Sequence, residues 1–306
     1  MNGEQVPFGE ARVHPLAHGL HYGSGVFEGM RCYDGPGGPA VFRLADHVRR
    51  LLDSCKVVRL DVPYGQEELE RAVLETLRAN ELQRAYVRPL VFRGFASMHM
   101  DPTRCPVEVL IAAWPTRGRF MGEGSDVEGI DACVSSWRRA PADVLPLNAK
   151  VTANYISAQL ITMEAAQNGY HEGIALDAAG NVSEGAAMNL FLVHRGELLT
   201  PPLESSILPG ITRESILTLA REAGIPAREQ KLPRGLLYTC DELFLTGTSA
   251  EVTPVRSVDR VPVGDGLPGP ITRRLTERFE ALAHGRAEDI YGWRTPVYEE
   301  AAVPAG

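Results

Sequence analysis

A chain of 306 residues, 44% hydrophobic and 23% charged, carries enough apolar side chains for a large core in one or two domains. Its formal charge of −8, with no basic block, argues against nucleic acid as the main partner. No apolar run approaches the roughly 20 residues of a membrane span, and the opening M-N-G-E-Q-V-P-F-G-E lacks the regions of a signal peptide. Five scattered cysteines (Cys32, Cys55, Cys105, Cys133, Cys240), odd in number and free of C-x-x-C spacing, read as reduced structural thiols of a cytoplasmic protein.

In chain order, Val13 to Tyr33 leads through the turn D-G-P-G-G-P into a strand at Ala40–Phe42, the pattern of a hairpin with a glycine-rich approach. Leu44, Val48, Leu51, Leu52, Cys55 and Val58 recur at helical spacing, as do Leu69, Val73, Leu74 and Leu77 within Gln66–Asn80. Strand runs follow at Ala85–Phe95 and Val107–Trp114. Strands, helices and strands without regular β-α-β alternation predict an α+β domain on an antiparallel sheet. Pro115–Val127, with three glycines and little apolar content, reads as a linker. The division expected is a small α+β domain over 1–115, an interdomain loop over 116–127 and a larger domain over 128–306. In that larger part, Gly129–Trp137 reads as a strand and Asn154–Gly169 as a helix. Gly173–Leu199 reads as two hairpins in series, Ile211–Ala223 as an amphipathic helix, Asp241–Val263 as mostly strand and Pro270–Ala283 as the last helix. The final Y-E-E-A-A-V-P-A-G has too little apolar surface to pack and is expected to fray.

Chemistry enters through a scarcity. Only three of the 31 basic residues are lysines: Lys56, Lys150 and Lys231. Arginine stays protonated, whereas a lysine amine can lose its proton and act as a nucleophile. Lys56 falls on a solvated helix face and Lys231 in a short polar segment. Lys150 lies between an apolar-proline run and a long helical pattern, in N-A-K-V-T-A-N-Y, and is either a chemical group or an ordinary surface lysine. L-P-G-I-T-R places Gly210, Ile211 and Thr212 at a helix start, where free N–H groups and the helix dipole favour an anion; equally, it is simply a helix N-terminus. Thr212 or Thr248 offers a hydroxyl, the turn T-G-T-S-A through Ser249 and Ala250 offers backbone donors, and Arg43 a balancing charge. Glu184, in V-S-E-G, is either a hairpin residue facing water or a buried acid that keeps a pyridine ring nitrogen protonated. His14, His18 and His21 suggest a helical metal face, but Pro15 and Gly19 break such a helix, so no metal is expected.

Taken in order, the motifs H-G-L-H-Y-G-S-G-V-F-E-G-M-R-C-Y-D, A-Y-V-R-P-L-V-F, A-K-V-T-A-N-Y, E-G-I-A-L-D, V-S-E-G-A-A-M-N-L-F, L-P-G-I-T-R and G-T-S-A-E-V-T-P-V-R-S-V-D closely resemble the fold-type IV pyridoxal phosphate aminotransferases, specifically the bacterial branched-chain amino acid aminotransferases. The resemblance runs from about Val13 to about Trp293. It implies a two-domain α/β (α+β) enzyme of the D-amino acid aminotransferase-like fold, with a small α+β domain and a larger, mixed β-barrel-like one. It also implies a ping-pong transfer of the amino group of leucine, isoleucine or valine to 2-oxoglutarate, a place in branched-chain amino-acid biosynthesis, and a homodimer or larger homo-oligomer.

By the same resemblance Lys150 is joined to pyridoxal 5'-phosphate and then serves as the base of the proton shift. Glu184 pairs with the ring nitrogen and Tyr155 with the cofactor O3′. Arg43, Gly210, Ile211, Thr212 and Thr248 hold the phosphate, and Leu208 packs on the ring. Tyr86 and the amides around Thr248, Ser249 and Ala250 bind the α-carboxylate, while Tyr22, Phe27 and Gly29 wall the side-chain pocket. Arg88 meets the side-chain carboxylate of glutamate. Tyr22 and the loop Met98–Met100 reach in from the neighbouring subunit.

Six positions depart from the family pattern. His99 and Met100 stand where a glycine and a small residue are usual, Thr116, Arg117 and Phe120 where an aromatic and then a tyrosine are usual, and Ala187 where a glycine is usual. Phe120 removes a hydroxyl that would help hold the glutamate side chain. The alternatives that keep the fold are a D-amino acid or amine transaminase, an enzyme for a specialised amino acid, and an aminodeoxychorismate lyase-like enzyme. Outside catalysis the alternative is a binding protein on the same scaffold, against which the joint retention of Lys150, Glu184 and Arg43 speaks.

Overall fold

Apolar side chains spaced three or four apart can share a helix face only if something covers that face. In the computed structural model, which describes residues 1–116 and 129–298, that face is covered. The chain begins with α1 (His18–Tyr22), β1 (Gly25–Phe27), β2 (Met30–Tyr33), β3 (Ala40–Phe42), α2 (Leu44–Val57), α3 (Gln66–Ala79), β4 (Ala85–Arg93) and β5 (Val107–Pro115). It continues with β6 (Ile130–Arg138), α4 (Tyr155–Gln167), β7 (Glu172–Leu176), β8 (Val182–Gly185), β9 (Asn189–His194), β10 (Glu197–Thr200) and α5 (Ile211–Glu222). It ends with β11 (Ala227–Glu229), β12 (Glu242–Gly247), β13 (Glu251–Val258), β14 (Val261–Pro262), α6 (Pro270–Ala283) and β15 (Arg294–Pro296). Two compact units result: Met1–His21, Phe27–Arg117 and Ala281–Gly306 form one, and Tyr22–Val26 with Gly118–Glu280 the other.

In the first unit α2 buries Leu44, Val48, Leu51 and Cys55, and α3 buries Leu69, Val73 and Leu77. At the start of α3 the Gly65 amide donates to Glu68 Oε2 at 2.8 Å, which satisfies one orphan helix donor. The sheet runs β5-β4-β2-β3-β15, each neighbour antiparallel. Along β4 the side chains of Ala85, Val87, Pro89 and Val91 are buried, so Tyr86 and Arg88 share the opposite face. The hairpin at Ala40–Phe42 forms as expected, with Cys32 opposite Val41.

Two features differ from the sequence reading. A short helix, α1, does run through Gly19, because five residues need only a single turn and Pro15 precedes it. On and before it, the three histidines each enter a hydrogen bond. His18 Nε2 donates to the His99 carbonyl at 3.1 Å, His21 Nε2 to Pro15 O at 2.9 Å, and His14 Nδ1 accepts the Leu16 amide. The strand β15 is the other unforeseen element, three residues long and ending in Pro296.

The second unit is a mixed sheet in the order β11-β10-β9-β12-β13-β6-β7-β8, with β14 on β13. The parallel pairs are β10 with β11, β13 with β6 and β6 with β7; the rest are antiparallel. One face packs Leu190, Leu192, Leu199, Leu243 and Leu245 into a core with Val255 and Val258. On the other, Phe191 and Phe244 stand opposite each other and stack at 5.1 Å. All five cysteines are buried free thiols. Residues 117–127 of the loop expected over 116–127, and residues 299–306 of the final stretch expected to fray, lie outside the described residues.

Candidate active site

Of the three lysines, Lys56 and Lys231 are exposed and Lys150 is half-buried. The stretch that carries Lys150 is pinned from both sides within the second unit. Asn154, itself buried, donates its side-chain N–H to Pro146 O at 3.1 Å and Ala149 O at 3.2 Å. Thr152 Oγ1 donates to Gly23 O at 2.7 Å, and Val26 bridges to Val151. Gly23 is at φ +63, where a Cβ would also come within 2.8 Å of Ala153 Cβ, so glycine is required there. In this frame Lys150 Nζ donates to Tyr155 Oη at 2.9 Å, across the turn that opens α4. The two residues that the resemblance assigns to one centre are brought together.

Glu184 is the second centre. Its β8 position is buried rather than facing water. Burial pushes its carboxyl above the usual carboxylate range, against the pull of the Arg139 guanidinium, the Leu208 amide, Lys150 and Arg213. Arg139, also buried, meets Oε1 at 2.5 Å. Oε2 accepts Asn189 Nδ2 at 3.0 Å and the Leu208 amide at 3.2 Å. Asn189 Nδ2 also donates to the Leu208 carbonyl at 2.9 Å, so one amide ties β8 to the segment before α5. A Cβ on Gly210 would fall 1.8 Å from Asn189 Oδ1, which explains the glycine of L-P-G-I-T-R.

The α5 N-terminus follows directly, with Gly210 as its extended cap and Ile211 and Thr212 buried in the first turn. Free amides at such an end favour an anion. Arg213 does not join them: it is buried and turns to Pro201 O at 2.9 Å and Glu229 at 2.6 Å, a structural arginine inside a functional-looking motif. Thr248, Ser249 and Ala250 form the turn between β12 and β13.

The first unit holds the other residues named from sequence. Phe27, Gly29, Tyr86 and Arg88 are gathered there. The Arg88 guanidinium carbon lies 4.7 Å from the Phe27 ring centre and 5.4 Å from that of Tyr86. Its Nε is buried and meets no hydrogen-bond partner among the described residues. Gly29 passes so close to Tyr86 that a Cβ would fall 1.8 Å from its hydroxyl oxygen. Arg43 directly follows β3, at φ 57, and is buried. Tyr22, in the second unit, and Met100, in the first, are exposed; Met98 is half-buried. Phe120 lies outside the described residues.

Sequence reasoning missed Arg139, Asn189 and a buried ion cluster beside Gly29. Glu28, fully buried, accepts His47 Nδ1 at 2.8 Å, Arg50 Nε at 2.6 Å and the Gly29 amide at 3.1 Å. Burial pushes its carboxyl up, but the Arg50 and His47 charges outweigh it and hold the group well below the usual range. A signal existed: an acid inside V-F-E-G-M must find cations, and His47 and Arg50 recur at helical spacing.

Glu172 is a further buried acid. Its Oε1 accepts the Gly173 and Ala186 amides at 2.9 and 3.0 Å, and burial raises its carboxyl despite them. A pKa raised by folding means stability is fullest below the ordinary glutamate range and falls as pH rises through the folded value. Glu172→Gln keeps the acceptor without the charge. It is expected to match the parent in acid and to exceed it by about 1 kcal/mol at alkaline pH, read from melting temperatures across pH. A deficit that was the same at every pH would refute this.

Comparison with known proteins gives the family. Residues 25–258 match the family model of amino-transferase class IV. The branched-chain-amino-acid aminotransferase of Salmonella typhimurium is 50% identical over 297 residues, covering 97% of this chain and 96% of that one. Among solved structures, the branched-chain amino acid aminotransferase of Escherichia coli superposes with a TM-score of 0.93 at 48% identity, covering 97% of this chain and 98% of the other. A second solved branched-chain amino acid aminotransferase, that of T.th., complexed with N-(5'-phosphopyridoxyl)-L-glutamate, gives a TM-score of 0.93 at 41% identity, with 97% of each chain covered. The fold is that of the fold-type IV aminotransferases, and the chain belongs to amino-transferase class IV, an enzyme of the transaminase type.

Proposed function

We propose that this enzyme uses pyridoxal 5'-phosphate to move the amino group of a branched-chain L-amino acid (leucine, isoleucine or valine) to 2-oxoglutarate by a ping-pong mechanism. The observation that carries the reading is one donor set in the second unit: an amine on a phenol, a buried carboxylate and a helix N-terminus. That set fits a phosphate-bearing pyridine aldehyde, group by group. Pyridoxal phosphate supplies a reactive carbonyl and a ring that accepts the electron pair left by the departing α-proton.

The residues do the rest. Lys150 Nζ would hold the cofactor through its carbonyl carbon, with loss of water, and once displaced by the substrate's amine would take up and return the substrate proton, with Tyr155 Oη orienting the ring oxygen beside it. Glu184 holds the proton at the ring nitrogen. A carboxylate made more basic by burial is a better partner for a cationic ring, and Arg139 with Asn189 keeps it aimed. The Ile211 and Thr212 amides at the Gly210 cap, the Thr248 hydroxyl and Arg43 bind phosphate, and Leu208 packs on the ring. Tyr86 and the amides of Thr248 and Ser249, beside Ala250, take the α-carboxylate. Phe27, Gly29 and Tyr22 wall the apolar pocket.

Arg88 takes the second carboxylate of glutamate and 2-oxoglutarate. Its buried, unpartnered Nε supports this role, since a carboxylate would supply the missing acceptor. So does the phosphopyridoxyl-glutamate held by the second of the solved neighbours. The active unit is a homodimer in which Tyr22 and the Met98–Met100 loop serve the neighbouring site; in the single chain Tyr22 and Met100 are 42% and 72% exposed. A cytoplasmic place is supported by five free thiols. No helix among the described residues is long and apolar enough to cross a membrane. His99, Met100, Thr116 and Phe120 tune the donor range rather than the cofactor chemistry.

Donor profiling with 2-oxoglutarate tests the reading. Leucine, isoleucine and valine are expected to turn over at least about a hundredfold faster than their D-forms or a simple chiral amine, the scale of losing one oriented contact in the transition state. Activity confined to the amine or the D-forms would reject it.

A further inference from the structure

The short last strand brings an aromatic ring to the residue proposed above as a phosphate ligand. β15 pairs antiparallel with β3, Arg294 opposite Phe42 and Pro296 opposite Ala40. The residue before β15, Trp293, thereby meets the residue after β3, Arg43. Trp293 is itself firmly held. Asp289 Oδ1 accepts its amide at 3.0 Å, the Tyr291 ring stacks on it at 4.3 Å, and Phe42 meets it edge-on at 5.7 Å.

Trp293 touches Arg43 in two ways. Its carbonyl accepts the Arg43 amide at 2.6 Å, and its indole lies 4.9 Å from the guanidinium carbon. Asp46 accepts from the Nε edge of the same guanidinium. A planar cation with one edge on a carboxylate and one face on an indole has its plane, and the direction of its terminal amino groups, set in advance. The backbone agrees: Arg43 is held at φ 57, a region that glycine and asparagine fill more readily, and such outliers gather at functional positions.

We propose that Trp293 is a positioning residue that presets Arg43 to receive the cofactor's phosphate. This rests on the reading of Arg43 given under Proposed function. Preset donors bind an anion without first losing rotamer freedom, so the ring's contribution falls on phosphate recognition rather than on the fold alone.

The test compares two ligands of the full-length chain stripped of cofactor: pyridoxal 5'-phosphate and pyridoxal, which lacks the phosphate. Dissociation constants are read by fluorescence, and melting temperatures are recorded beside them. Trp293→Leu is expected to weaken the phosphorylated ligand about tenfold and pyridoxal less than about twofold, the scale of a desolvated cation–π contact. Trp293→Phe keeps a ring and is expected to restore most of the difference; it also serves if the leucine variant melts early. Arg43→Gln is the control. If it erases the preference for the phosphorylated ligand while both Trp293 variants retain it, the positioning role is wrong and the Arg43 reading stands. If Arg43→Gln leaves the preference intact, the Arg43 reading fails and the inference falls with it. An equal loss for both ligands in Trp293→Leu would mark a merely structural ring.

Discussion

Alanine at position 150 is expected to lower turnover of leucine with 2-oxoglutarate by about 10,000-fold, the upper range for loss of a group that moves the reacting proton. The melting temperature should barely change, because the half-buried Lys150 amine makes its hydrogen bond to Tyr155 and takes no part in the apolar cores. Borohydride treatment of the parent enzyme should leave a cofactor tag on the peptide that contains Lys150, and on no other. Full turnover in the alanine variant, or a tag elsewhere, would overturn the assignment. Because Lys56 and Lys231 are exposed, non-specific labelling has two obvious places to occur and can be checked at both.

The second large effect concerns stability. Arg139→Leu leaves Glu184 buried without its guanidinium partner, and breaking a buried pair from one side costs about 3–5 kcal/mol. The pH dependence carries the sign. Glu184 is already raised by burial, and losing Arg139 raises it further, so the folded variant keeps its proton to higher pH than the unfolded chain. The deficit should be smallest near or below the ordinary glutamate range and grow as pH rises through the folded value. Denaturant melts at acid, neutral and alkaline pH would show it. Arg139→Leu with Glu184→Leu should recover part of the loss, since an apolar pair can replace a buried ionic one. A deficit that grew toward acid would mean the guanidinium acts through packing instead.

The parts of this molecule written as periodicity were legible in advance. The helices at Leu44, Gln66 and Ile211 and the strand at Ala85 announce themselves because their buried faces repeat within a few residues, and the strand at Val107 through its apolar run. Lys150 showed through because arginine fills nearly every other basic position, and Glu184 because an acid stood among small apolar neighbours. Arg139 and Glu28 did not, since each takes its meaning from a partner well removed in sequence that only the fold brings near, and Asn189 did not, since it meets Glu184 only once β9 follows β8 in space. Arg213 was read together with its motif, yet burial turns it to Glu229. The strand at Arg294 was hidden because three residues ending in proline carry no period; it exists only as the edge cover of another strand.

The five buried thiols have a practical consequence. Burial lifts Cys32, Cys55 and Cys240 to about 12 and Cys133 to about 11. Alkylating reagents attack the thiolate, and at neutral pH thiols lifted that far supply about one part in 10,000 to one part in 100,000 of it. Labelling of these four thiols in the intact molecule therefore waits on its opening. The rate at which a maleimide enters, followed cysteine by cysteine, becomes a clock for how often each of the two units breathes.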